Sequence, residues 1–130
     1  MSELCYLTIA EASKLIAAGK LSPVDLTKAF LDRIERLDPV LNAYLLVLAE
    51  SAMADARQAE VDIKAGRYKG PLHGIPIALK DIYCTKGIRT TAHSALLKDH
   101  VPTEDAFTRV LLAQAGAILL GAKEYRTSLR

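Results

Sequence analysis

The sequence predicts an α/β fold: N-terminal helices followed by the first strand–helix–strand portion of a larger, mostly parallel sheet with helices on both faces. Three observations predict it. Apolar residues recur at helical spacing through the first 66 residues. Glycine and proline break that periodicity from Gly66 onward. Two short apolar runs, 75–80 and 117–121, then flank one further helical stretch.

The elements follow in order. Thr8 and Glu11 have capping-box spacing, and Ile9, Ala12, Leu15 and Ile16 mark one helical face until Gly19. Ser22-Pro23-Val24-Asp25 is a second helix start, with a serine cap, a proline at the first helical position and an acid in the first turn. Leu26, Phe30, Ile34 and Leu37 form its stripe, and Asp38-Pro39 is expected to stop it. Residues 43–48 read equally as a short buried strand or a helix start. An Ala-rich, charged helix spans 49–65 and ends at Gly66. In the run 75–80, Pro76 cannot donate to a ladder and is expected at the strand start or at a bulge. After a long loop, Thr103 is expected to cap a helix over 104–115, Gly116 to end it, and 117–121 to form a second strand. Two parallel strands alone make no stable sheet, so the 130 residues read as part of a larger domain. Its segments are a helical region, 1–66, a strand–loop–helix–strand region, 67–121, and a divergent tail, 122–130.

Composition narrows the class. The chain is 51% hydrophobic and 25% charged, too apolar for a disordered segment. Its longest wholly apolar run, 43–49, is far short of the roughly 20 residues of a spanning helix, so no membrane association is expected. The start Met-Ser-Glu-Leu-Cys lacks a basic region before an apolar stretch and does not read as a secretory leader. Cys5 and Cys84 have no metal-like spacing, which points to reduced thiols and a cytoplasmic location. Residues 1–65 hold 7 basic and 10 acidic residues, and 66–130 hold 10 and 5. Lys123, Arg126 and Arg130 cluster at the end, but without aromatic interleaving or a basic helical face no nucleic-acid partner is expected.

Lys80 closes the run 75–80, with Asp81 directly after it. Ligands in open α/β sheets gather beyond the carboxyl ends of strands, and a sheltered lysine can serve as a base near neutral pH. Spacing alone favours a plainer reading, an exposed lysine paired with a carboxylate.

The residues around it change that weighting. Gly70-Pro-Leu-His-Gly-Ile-Pro-Ile-Ala-Leu-Lys-Asp81 closely resembles the lysine motif of the amidase-signature family, whose members cleave or transfer amide nitrogen. Leu21–Leu26 and Leu41–Tyr44 are similar to that family's helical N-terminal region. Gly87–Thr91 and Pro102–Ala106 are similar to its next loop and helix start, and Ala115–Gly121 to the following strand. The resemblance covers roughly residues 7–121, with the segments in family order. It implies a Ser–cis-Ser–Lys triad in which Lys80 is the base, with no cofactor and a small-molecule amide as substrate of the full-length protein. In that chemistry a neutral lysine draws a proton through the bridging serine from the nucleophilic serine, and the relay returns it to the leaving amine. The family places both serines in a later Gly/Ser-rich stretch. No Gly-Ser-Ser-Gly-Gly run occurs in these 130 residues, so the chain alone is expected to be inactive. The resemblance also admits the A subunit of a tRNA-dependent amidotransferase, which generates ammonia for partner subunits. Cys84–Gly87 leans that way, whereas Pro102–Ala106 leans toward stand-alone hydrolases, the reading preferred from sequence. A different class is a non-catalytic remnant or interaction module, and a homo-oligomer is compatible with each.

Other constellations are weaker. Ser94 follows Thr90-Thr91 in the loop but has no neighbour to complete a dyad, so it is not taken as the nucleophile. His93 stands where the family commonly has glycine and reads as a loop variant. His73, His93, His100 and Cys84 lack zinc-like spacing, and Gly70–Gly74 lacks the ending of a phosphate loop. The resemblance stops at Gly121, before the tail.

Overall fold

A computed structural model describes residues 2–92 and 94–123; His93 and residues 124–130 of the divergent tail lie outside the described residues. After a 3-10 turn (Ser2–Tyr6) come α1 (Ile9–Ala17), α2 (Pro23–Leu41), β1 (Tyr44–Val47), α3 (Ala49–Lys64), β2 (Pro76–Lys80), a short 3-10 turn (Ala95–Leu97), α4 (Phe107–Gln114) and β3 (Ile118–Lys123).

The helix starts obey local chemistry. Thr8 Oγ1 accepts from Glu11 N–H while the Glu11 carboxylate accepts from Thr8 N–H, completing the capping box. The Thr8 N–H and the Thr8 hydroxyl, both donating to the Glu11 carboxylate, hold this exposed carboxyl below its usual pKa. Ser22 Oγ accepts from Val24 and Asp25 N–H, with Pro23 at the first helical position.

One stop signal is overridden. α2 runs through Pro39 to Leu41 and ends at Asn42, in the left-handed region at φ 50°. Pro39 removes only its own N–H from the last turn. The chain beyond is held by Asn42 N–H on the Asp38 carbonyl and by Ala43 and Tyr44 N–H on Asp38 Oδ1. This brings the chain directly into β1, so the run 43–48 forms a strand over Tyr44–Val47, with Leu48 leading into α3.

The three strands lie in the order β1-β3-β2. β2 and β3 are parallel, as a strand–helix–strand unit requires, but β1 adds to β3 antiparallel, making the sheet mixed. Pro76 is the first residue of β2. β3 continues two residues past Gly121, with Ala122 and Lys123 opposite Leu79 and Lys80. The register slips between Ile77 and Ala78 on one side of β3, and between Tyr44 and Leu46 on the other.

Two buried clusters seat the helices. Ala52 and Ala56 of α3 meet Ile118 and Leu120 of β3, with Val24, Phe30, Leu31 and Ile34 of α2 packed around them. Ala12, Ile16, Leu26 and Ile75 form the second, over Ile77 of β2. Burying one such aliphatic side chain contributes about 1.5–3 kcal/mol. Small alanines on α3 let it approach the sheet closely. α4, the connecting helix, buries none of its residues. It also starts later than Thr103 predicts, with no side-chain cap. Asp105 Oδ1 accepts from Lys86 N–H at 2.7 Å and Ala106 N–H donates to the Cys84 carbonyl, so the residues before Phe107 are committed to the preceding loop. Both cysteines are free, and no helix among the described residues is long and apolar enough to cross a membrane.

Candidate active site

His73 fixes the entrance to β2. Its residue is 2% exposed, and its Nδ1 accepts from the Lys69 N–H at 3.0 Å, so the neutral ring carries its proton on Nε2. Gly116 must be glycine at this contact: it sits at φ 83°, and a Cβ there would lie 2.5 Å from His73 Cδ2. Gly74 N–H donates to the Gly116 carbonyl and Ile118 N–H to that of Ile75, aligning the starts of both parallel strands.

Burial, reinforced by Lys69 and opposed by Asp62, holds the imidazole of His73 below its usual pKa. The unfolded chain therefore takes up a proton near pH 6.5, about the free-histidine value, before the folded one does. This share of stability is complete above that pH and is lost as pH falls through it. Melting curves at about pH 7.5 and 5.5 should show Tm dropping on acidification, and His73→Gln should lose its part of that drop.

At the other end of β2 the alternation of the strand decides orientation. Leu79 is buried, and Lys80 is exposed at the carboxyl end, opposite Lys123 of β3. The shelter expected for this lysine is thus not supplied by the described residues. Asp81, the next residue, turns inward and is 2% exposed. Its N–H donates to the Lys123 carbonyl at 3.1 Å, extending the ladder one step. Its Oδ2 accepts from Thr91 N–H at 3.2 Å and from Thr91 Oγ1, and its carbonyl accepts from Ala92 N–H at 2.8 Å. Sequence spacing places Asp81 directly after the lysine and no more; a buried anchoring role leaves no signal in spacing.

The 81–106 loop is tied back at further points. Thr90 N–H donates to the His100 carbonyl and Gly87 N–H to that of Pro102. Beside Asp81 a cleft of about 230 Å³ is lined by Leu45, Leu46, Arg89, Thr91, Ser94 and Lys98. Ser94 Oγ accepts from Leu96 N–H and caps the 3-10 turn. His73 lies at the opposite end of the strand from Lys80, and among the described residues no three His, Cys, Asp or Glu side chains are grouped to hold a metal. A larger apolar groove of about 700 Å³ runs between α2 and α3, away from the lysine motif.

The strand–helix–strand unit and the segments around it match a known class of protein. The family model described as Amidase matches residues 25–128, and the chain belongs to this amidase-signature family. The match continues past Gly121, where the motif resemblance stops. The A subunit of the glutamyl-tRNA(Gln) amidotransferase of Dehalococcoides mccartyi is 50% identical over 121 residues, 93% of this chain and 25% of that protein. The corresponding protein of Cutibacterium acnes is 42% identical over the same length, 93% of this chain and 24% of its own. The native peptide amidase of Stenotrophomonas maltophilia superimposes with a TM-score of 0.87 at 33% identity, over 95% of this chain and 26% of that one. A fatty acid amide hydrolase gives 0.90 at 28% identity, over 98% and 22%. The chain therefore spans about a quarter of the length of the relatives it matches.

Proposed function

We propose that the full-length protein cleaves a carboxamide through a Ser–cis-Ser–Lys relay with Lys80 as the base, and that it does so as the A subunit of a tRNA-dependent amidotransferase. The carrying observation is the 50% identity to the A subunit of a glutamyl-tRNA(Gln) amidotransferase, against 34% and 33% to peptide amidases. It moves that reading ahead of the stand-alone hydrolase preferred from sequence. The hydrolase remains the second reading, favoured by Pro102–Ala106 and by the close superposition on peptide amidase.

In this reading Lys80, presented beyond the end of β2, receives the nucleophile's proton through the bridging serine as the serine attacks the amide carbonyl. The proton returns to the departing nitrogen, leaving an acyl-enzyme that water opens. The relay uses no cofactor. Both serines belong to the part of the protein outside these 130 residues, so this chain carries the lysine alone and turns over no amide. A protein serving tRNA amidation works in the cytoplasm.

Ammonia release from small primary amides tests the reading with the full-length protein, alone and with the partner subunits. Strong stimulation by the partners supports the amidotransferase; full turnover without them supports the hydrolase. Turnover by the purified 130-residue chain that disappears in Lys80→Met would refute the division of the triad.

A further inference from the structure

The most deeply buried carboxylate beside Lys80 has no part in the proton relay. Asp81 is 2% exposed at the end of a strand, where an aspartate is ordinarily solvated. Burying a carboxylate is unfavourable unless donors surround it, and here Thr91 supplies two, its N–H and its hydroxyl, both to Oδ2. The main chain repeats the connection, with Ala92 N–H on the Asp81 carbonyl at 2.8 Å. A fourth bond, from Asp81 N–H to the Lys123 carbonyl, ties the same residue to β3. The peptide following Lys80 is therefore fixed to the sheet on one side and to the loop on the other.

The backbone records how firmly. Ala92 lies at φ 48°, in the left-handed region that residues with a Cβ seldom occupy. Such a conformation persists where its surroundings over-determine it, and these cluster at functional sites. The bonds around Asp81 are those surroundings.

We propose that Asp81, through Thr91, is a positioning residue for Lys80: the clamp fixes the Cα from which the lysine amine is delivered to the bridging serine. This rests on Lys80 being the base. Lys80 is exposed in the described segment, and its root is one part of its geometry that these residues set. Small displacements of a reacting group are costly to catalysis, and a misplacement of about 1 Å lowers rates on the order of 100-fold.

The test uses the full-length enzyme with four variants. Thr91→Val removes the hydroxyl donor and keeps the N–H; Thr91→Ser keeps both. Asp81→Asn keeps the shape and loses the charge, and Lys80→Met removes the amine. A positioning role predicts that Thr91→Val and Asp81→Asn lower kcat by about 10- to 100-fold with KM little changed, and that Thr91→Ser recovers most of the rate. Rates are taken per folded molecule, below the melting transition of each variant, so that a purely structural contribution shows in Tm and leaves kcat intact. If Asp81→Asn does not fold, the Thr91→Val and Thr91→Ser pair decides. Full kcat in folded Thr91→Val, with Lys80→Met inactive, overturns the positioning role and leaves the base assignment standing. Full kcat in Lys80→Met overturns both.

Discussion

Lys80→Met in the full-length protein is expected to reduce amide turnover by about 10³-fold or more, with Tm essentially unchanged. Methionine matches the reach of the lysine stem but can accept no proton, so the bridging serine keeps its hydrogen and the nucleophile stays an alcohol. General-base contributions are commonly about 10²–10⁴-fold, and members of a triad act as a unit, so losing one removes most of the relay. Stability is spared because Lys80 is exposed at the end of its strand, and exposed substitutions usually fall within about 0.5 kcal/mol of neutral. Single-turnover acylation, compared with the melting curve, separates the two effects. A variant that melts normally and still acylates at the native rate would remove Lys80 from the mechanism.

Gly121→Val is expected to have the largest effect on folding, at least about 3 kcal/mol. A Cβ at position 121 would lie 2.1 Å from the carbonyl oxygen of Leu46, 3.1 Å from its carbon and 3.2 Å from the Cα of Val47. These are main-chain atoms of β1, so no side-chain rotation relieves the contact. The obstruction falls between Leu120, whose carbonyl accepts from Leu48 N–H, and Ala122, which pairs with Leu46. To admit the new atom, β1 must leave β3, and the start of α3 moves with it. Urea unfolding checks this: the midpoint should drop sharply, or the protein should fail to accumulate. An unfolding free energy within about 0.5 kcal/mol of the native value would show that β1 does not hold this position.

Gly121 also shows where sequence reasoning reaches its limit. It is readable as the end of an apolar strand, yet its need for a bare Cα comes from β1, which is more than seventy residues earlier and reads equally as a helix start. Thr103 illustrates the same limit from another side. Its spacing suits a cap, but Asp105 and Ala106 are held by Lys86 and Cys84, and a tertiary bond outcompetes a local one. Pro39 is a weaker stop than it reads because the Asp38 carboxylate gathers the two N–H groups after the helix. The helix starts at Thr8 and Ser22 are legible because donor and acceptor are three residues or fewer apart and need nothing else from the fold.

The sequence by itself determined the helix caps at Thr8 and Ser22, the strand carrying Lys80 and, through the twelve residues 70–81, the family to which the chain belongs. Each is encoded in neighbouring residues, whose contacts are fixed by the geometry of one turn or one strand. Only the tertiary structure decided that β1 joins antiparallel, that Asp81 turns inward to Thr91, and that Lys80 stands exposed beside Lys123. Those arrangements depend on which distant segments share a sheet, and a strand's pairing partner is chosen by the packing of the whole layer, which no local run of residues contains.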